Sequence, residues 1–149
     1  MKNNLLKTFG LFLLLTISIA SCKKSKSEPE GKTDVLTGAW QEAGLTGVGR
    51  RLVFKPGGGF TMEIWTSNYK SGEVNGVYKI DGDNLTVNIN EDVEINSAGN
   101  ATKRNVNRQL FEKGKFSITN TMLTIKCITY PADAPVETEF KYGKIMAID

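Results

Sequence analysis

Apolar and polar residues alternate along most of the chain beyond residue 50. Phe60, Met62 and Ile64 alternate with Thr61 and other polar or amphipathic neighbours, and the same spacing recurs at residues 85–89 and 123–127. A period of two places successive side chains on opposite faces of a strand, and no stretch here shows the stripe of an amphipathic helix. The pattern predicts strands near residues 38–44, 50–55, 60–67, 73–80, 84–90, 106–118, 122–130 and 137–147, and a break at Lys113-Gly114 would divide the sixth.

Short segments with turn-forming residues separate several of these strands. They are residues 56–59 (Pro-Gly-Gly-Gly), 81–84 (Asp-Gly-Asp-Asn) and 119–121 (Thr-Asn-Thr). Strands joined by tight turns are antiparallel neighbours. As an open sheet, eight such strands would leave two bare edges, which closure into a barrel removes. The predicted fold is therefore all-β, a single antiparallel up-and-down β-barrel of about eight strands, wide enough for side chains or one small ligand.

The segment 91–107 departs from this pattern because it is polar and rich in asparagine. We expect a loop or a ragged hairpin there rather than part of the core. The charged residues of this segment, together with Arg108 just beyond it, predict either a polar rim at the barrel mouth or a solvated hairpin. They are Glu91, Asp92, Glu94, Lys103, Arg104 and Arg108. Trp65 occupies the polar register of its strand and is predicted to be an exposed contact residue, unless this segment covers it.

The N-terminus has the order of a secretory signal peptide. A basic stretch with Lys2 and Lys7 precedes an unbroken run of apolar and small residues from Phe9 to Ala20. The alternative, a transmembrane anchor, needs roughly 20 predominantly apolar residues, and this run is shorter. We therefore expect an exported protein whose leader is removed.

The leader ends in Ile19-Ala20-Ser21-Cys22, which resembles the lipobox of bacterial lipoproteins. The resemblance implies a signal peptide over residues 1–21, lipidation of Cys22 with acyl chains such as palmitate, and tethering to a membrane without a spanning helix. Residues 22–33 then form the lipidated cysteine and a flexible polar linker, and residues 34–149 form the barrel domain. The acidic export tag of some Bacteroidetes lipoproteins is not evident after Cys22, which favours an outer-membrane anchor facing the periplasm.

Composition narrows the function. Without Lys2 and Lys7 the formal charge falls from +3 to about +1, which gives no basic footprint for nucleic acid. The chain contains no histidine, so the common nucleophile triads and histidine-containing zinc sites are ruled out, and we expect neither an enzyme nor a metal or cofactor site. If Cys22 carries lipid, Cys127 has no disulfide partner, and its apolar surroundings predict a buried, unreactive thiol.

The first predicted strand contains Gly38-Ala39-Trp40, and this Gly-x-Trp resembles the lipocalins and their calycin relatives. Further motifs resemble the lipocalin-like lipoproteins of Bacteroidetes, namely "LxFxxxGxF" at 52–60, "GxYxI" at 76–80 and "LTI" at 123–125. The resemblance implies that Trp40 plugs one end of the barrel and that a basic residue of the last strand lies over its ring. The expected arginine is absent there, which leaves Lys141 or Lys144 for that role.

Two functions remain in competition. The first is a membrane-anchored barrel that binds a small apolar or amphipathic ligand in the cell envelope, through seven candidate side chains: Phe54, Phe60, Met62, Ile64, Tyr78, Phe140 and Tyr142. The second is an interaction module with a filled barrel that binds a protein or glycan of the envelope. The first requires an internal void and the second a packed interior.

Overall fold

The computed structural model describes residues 35–44, 47–67 and 69–146 of the chain. They form nine strands and two single-turn 3-10 helices, Pro56–Gly58 and Pro131–Asp133. The strands are β1 Gly38–Glu42, β2 Val48–Phe54, β3 Gly59–Thr66, β4 Tyr69–Asp81, β5 Asn84–Ile95, β6 Ala101–Gln109, β7 Glu112–Thr119, β8 Met122–Thr129 and β9 Val136–Ile145. The predicted signal peptide, the lipidated cysteine and the linker lie outside the described residues. No helix within the described part is long and apolar enough to cross a membrane.

The strands close into an antiparallel barrel. Strands β1 to β5 pair in sequence order, and β5 also pairs with β7. Strand β7 pairs with β8, β8 with β9, and β9 with β1, which closes the barrel. Trp40 of β1, for example, lies between Leu52 of β2 and Lys144 of β9. Eight strands make the closed wall and β6 is an additional strand on β5, so the predicted eight-stranded barrel is confirmed.

The segment 91–107 belongs to a hairpin whose register shifts between Ile89 and Glu91, so the hairpin expectation is right and the loop expectation is wrong. The expectation that the segment contributes nothing to the core is also wrong, because Val93 is buried and Val106 packs against the core. β5 continues to Ile95 and β6 returns from Ala101. The carboxamide oxygen of Asn96 stabilises the turn by accepting hydrogen bonds from the N–H groups of Ala98 (3.0 Å) and Asn100 (2.9 Å). The sequence pattern did not reveal β6 because all of its residues except Val106 are exposed, so it lacks the alternation of apolar and polar residues that marks a strand with one buried face.

The predicted strand 106–118 is divided, but at residues 110–111 rather than at Lys113-Gly114, which lies within β7. β6 ends at Gln109 and β7 starts at Glu112, and the register remains irregular until Lys115. A Cβ on Gly114 would lie 2.6 Å from the carbonyl oxygen of Leu85, so close approach to β5 requires glycine here. The kink directs β6 along the outer half of β5 and β7 along the barrel wall to β8.

Alternate residues of the strands fill the barrel. Seventeen hydrophobic side chains of the described residues are buried, Leu52, Val87 and Leu123 completely. Phe54 lies edge-on to both Phe60 and Tyr78, with ring centroids 5.2 and 5.0 Å apart. This aromatic cluster accounts for much of the packed volume near the start of β1.

Candidate functional site

Trp40, which the resemblance identifies as the plug of one barrel end, is buried near the start of β1. Trp40 is 1% exposed, and its indole Nε1 donates a hydrogen bond to the carbonyl of Leu36 (2.8 Å). The ammonium of Lys144 lies 5.3 Å from the Trp40 ring centroid. Gly38 has a φ of +127° and passes beneath the Lys144 side chain, whereas Lys141 is exposed and pairs with Glu139 (3.2 Å). The cation over Trp40 is therefore Lys144, not Lys141.

The seven candidate ligand-binding residues are distributed along the barrel. Phe54, Phe60 and Tyr78 belong to the aromatic cluster near the plugged end, and Met62 and Tyr142 are buried further along. Ile64 and Phe140 are only partly buried. The structure brings the first three into mutual contact but does not gather all seven around one space.

A buried ion pair lies inside the opposite end, which we call the mouth. Arg50 donates two hydrogen bonds to the Glu42 carboxylate, from Nε (2.7 Å) and Nη2 (2.5 Å). The Glu42 side chain is 6% exposed and that of Arg50 36%, and the guanidinium also covers the Phe140 ring at 4.9 Å. The hydrogen bond to Glu42 raises the pKa of Arg50 against the opposing effect of burial. The pair is held in one geometry by bidentate contact and stacking.

Glu42 and Arg50 were not among the predicted site residues, although the strand pattern places both on the inward face. Glu42 follows Trp40 by two residues and Arg50 precedes Leu52 by two, so both point inward with those buried side chains. Charged residues at inward positions were the available signal. Only the pairing of β1 with β2 in the structure shows that the Glu42 and Arg50 side chains meet.

Tyr142 and Cys127 lie close to the ion pair. Tyr142 is 0% exposed, and its hydroxyl has no hydrogen-bond partner among the described residues. Burial raises the pKa of Tyr142 well above its ordinary value, and burial likewise raises the pKa of the Cys127 thiol, while Arg50 lowers both. Both groups are therefore neutral at pH 7. The hydroxyl of Tyr142 is thus a buried polar group near the ion pair, without a hydrogen-bond partner among the described residues.

A cavity of about 330 Å³ lies at the mouth, against β3 to β6. Its apolar lining includes Ile64 and Val74, and its charged lining consists of Glu73, Asp92, Glu94, Arg104 and Arg108. The Asp92 carboxylate pairs with both arginines, at 3.7 Å from Arg104 and 2.8 Å from Arg108. The sequence left two expectations open for these charged residues, a polar rim at the mouth and a solvated hairpin. Asp92, Arg104 and Arg108 form a polar rim.

The face of β6 decides which charges reach this cavity. Arg104 lies opposite Asp92 in the register and Arg108 opposite the buried Ile89, so both lie on the face of β6 that borders the cavity, with their side chains exposed. Lys103 points the other way and pairs with Glu91 (3.2 Å) on the outside. Adjacent residues of one strand thus have different surroundings.

A second recess, of about 240 Å³, lies on the outer face of the barrel near the mouth. We call it the Trp65 recess; Gln41, Gly49, Arg51, Trp65 and Ser67 line it with Gly47 and Val48. The Trp65 ring is half-buried, with the Arg51 guanidinium 5.2 Å from its centroid. Trp65 is thus an outward-facing aromatic residue, as its register predicted, and the β5–β6 hairpin does not contribute to the recess.

Together these features define a closed antiparallel barrel with a plugged end, a charged mouth and a separate outer recess. Within the described ranges no group of three acidic or cysteine side chains could hold a metal ion. No family model, curated protein or solved structure matches the chain.

Proposed function

We propose that this protein is a lipocalin-like lipoprotein of the bacterial cell envelope, of the kind that Bacteroidetes carry, and that it binds a small apolar or amphipathic ligand without catalysing a reaction. The observation that carries the proposal is the cavity of about 330 Å³, which lies at the mouth of a barrel whose interior is filled by side chains, so the ligand would be held at the mouth rather than in an internal void. A concave site with an apolar wall and a few polar groups is the usual form of a small-molecule site.

The mouth favours an amphipathic molecule. Ile64 and Val74 offer apolar surface, while Arg104 and Arg108 share the single partner Asp92. A ligand would place its apolar part against the first pair and its polar part at the rim.

The lipid anchor is part of the same proposal. Acyl chains on Cys22 would each contribute about 0.8 kcal/mol per buried CH₂ group, so more than one chain gives stable attachment. The polar residues 23–33 would hold the barrel at a distance from the bilayer. An outer-membrane anchor facing the periplasm would place the mouth where envelope lipids and imported molecules pass.

The first experiment is native mass spectrometry of the chain from Lys23 onward, purified without detergent, followed by organic extraction. Recovery of an apolar or amphipathic molecule in stoichiometric amount would support the proposal. An empty protein that also fails to bind a panel of apolar fluorophores would contradict it, and would favour the interaction module with a filled barrel.

A pair of variants locates the binding. Replacing Arg104 and Arg108 together by alanine removes the charged edge of the mouth, and Lys103→Ala removes a cation from the same strand on its outer face. We expect the double variant to bind an anionic apolar fluorophore at least about tenfold more weakly, equivalent to 1.4 kcal/mol. Lys103→Ala should bind it as the wild type does. Equal loss in both would indicate general electrostatic attraction rather than a site in the mouth.

The anchor has its own test. Cys22→Ala should abolish incorporation of labelled palmitate and move the protein from the membrane fraction to the soluble fraction. Cys127→Ala is the matched control, because that thiol is buried in the barrel. Unchanged labelling in Cys22→Ala would refute lipidation at Cys22 and leave the proposal for the mouth intact.

A further inference from the structure

The Trp65 recess has the features of a binding site on a surface that the barrel interior does not use. Its residues point away from the core, since Gln41 and Arg51 alternate with the buried Trp40 and Leu52. Its volume of about 240 Å³ is below the 300–1,000 Å³ typical of sites for drug-sized ligands. The recess therefore suits a group of about one ring.

A glycine makes the recess deep. Gly49 of β2 lies opposite Trp65 of β3 in the register, and a Cβ on Gly49 would lie 3.1 Å from the Nε2 atom of Gln41. Any side chain at this position would extend into the space between the amide and the indole. The bare backbone of Gly49 is thus the floor between two planar side chains.

The indole ring is held in place before any ligand arrives. Trp65 Nε1 donates a hydrogen bond to Oε2 of Glu63 (3.1 Å), and the same carboxylate pairs with Nη1 of Arg51 (3.4 Å). The guanidinium in turn stacks near the ring. A side chain fixed in this way loses little conformational freedom on binding, which favours affinity.

Polar groups surround this aromatic surface on the other sides. The Gln41 amide donates from Nε2 to the carbonyl of Arg50 (3.3 Å) and carries an oxygen acceptor as well. Arg51 has five N–H donors, more than its contact with Glu63 uses, and Ser67 adds a hydroxyl to the lining. Because Glu63 balances the charge of Arg51, the recess favours a neutral ligand with several hydroxyl groups.

We propose that the Trp65 recess binds one pyranose unit of a neutral glycan. A pyranose ring has an apolar C–H face and a rim of hydroxyl groups. It matches the part of the indole that the Arg51 guanidinium leaves open, with the guanidinium, the Gln41 amide and the Ser67 hydroxyl available to the sugar hydroxyls. The site lies outside the barrel and is independent of any ligand in the mouth. It would let a tethered protein hold a polysaccharide.

Tryptophan fluorescence tests the proposal, because the chain has only two tryptophans and Trp40 is 1% exposed. The full chain is purified in a detergent without a sugar head group and titrated with hexasaccharides of glucose (β1,4 and α1,4), xylose, mannose and N-acetylglucosamine at up to millimolar concentration. We expect a saturable change in emission with at least one of them. No change with any of them, confirmed by calorimetry, would overturn the proposal.

Three variants place the binding in the recess, with calorimetry as the readout and circular dichroism as the check on folding. Trp65→Ala removes the stacking surface, and Gly49→Val fills the floor while leaving the ring in place. Each should weaken the active saccharide at least about tenfold. Tyr130→Ala, which removes an exposed aromatic side chain elsewhere, should bind as the wild type. Unchanged affinity in correctly folded Gly49→Val would overturn the assignment to the recess.

Discussion

The ion pair between Glu42 and Arg50 offers the sharpest test of how the barrel mouth is held together. The two side chains differ in exposure, 6% for Glu42 and 36% for Arg50. Removing one partner of a fully buried pair costs about 3–5 kcal/mol, since the other charge remains buried without compensation, whereas an exposed pair contributes only about 0–1 kcal/mol. This pair lies between the two limits, so the two single variants should differ.

Arg50→Met leaves the Glu42 carboxylate buried without either of its two hydrogen-bond donors. We expect a loss of about 2–4 kcal/mol in the free energy of unfolding. Glu42→Leu leaves an arginine that still reaches water and still packs on Phe140, so the loss should be about 1–2 kcal/mol. The double variant places two apolar side chains in contact and should lie within about 1 kcal/mol of the wild type.

Urea unfolding followed by circular dichroism measures all four proteins, and the double-mutant cycle gives the coupling. The values above imply a coupling energy of at least about 2 kcal/mol. If the double variant loses as much as the two single variants together, the pair is not coupled and the reasoning from its burial is refuted. If Glu42→Leu lowers the free energy of unfolding more than Arg50→Met does, then Glu42 is not the less exposed partner of the pair.

Three further predictions concern the barrel wall and interior. Gly76→Ala should lower the free energy of unfolding by at least about 3 kcal/mol, because the added Cβ would overlap the carbonyl oxygen of Asn88. Gly143→Ala, where the Cβ position is open space, should change it by less than about 0.5 kcal/mol. Tyr142→Phe removes a hydroxyl without a partner among the described residues and should leave stability unchanged or raise it by up to about 1 kcal/mol. Burial raises the pKa values of Tyr142 and Cys127, so at alkaline pH the folded protein keeps protons that the unfolded chain releases. The free energy of unfolding should therefore fall as pH rises above about 9, by up to about 1.4 kcal/mol per pH unit for each group.

Urea titrations of these variants, the last at a series of pH values, check each expectation. Equal stability of Gly76→Ala and Gly143→Ala would contradict the close approach of β4 to β5. A large loss in Tyr142→Phe would mean that the hydroxyl is bonded in solution. Stability that stays level above pH 9, or falls equally in a Tyr142→Phe, Cys127→Ala double variant, would show that these groups do not control the alkaline limit.

Sequence alone was sufficient for the class of fold. Alternation at residues 60–64, 85–89 and 123–127 identified strands with one buried face, and the turns at 56–59 and 81–84 connect neighbouring strands as predicted. These are local signals, since side-chain period and turn chemistry depend on residues close in the chain. The hairpin of β5 and β6 was less evident because its exposed face replaces apolar residues with charged ones.

The candidate site required the tertiary structure. The sequence predicted that Trp65 faces outward and that Arg104 lies near the mouth. It did not predict that Gly49 lies beside the Trp65 indole, or that Arg108 pairs with Asp92, sixteen residues away in the chain. The choice of Lys144 over Lys141 likewise followed from which one faces inward beside Trp40. Strand periodicity fixes which face a residue occupies, whereas barrel closure and register decide which residues of different strands meet across that face. Alternation therefore determined the strands of the barrel wall but not β6, and only the closed barrel decided which residues form its ion pairs, its cavity and its recess.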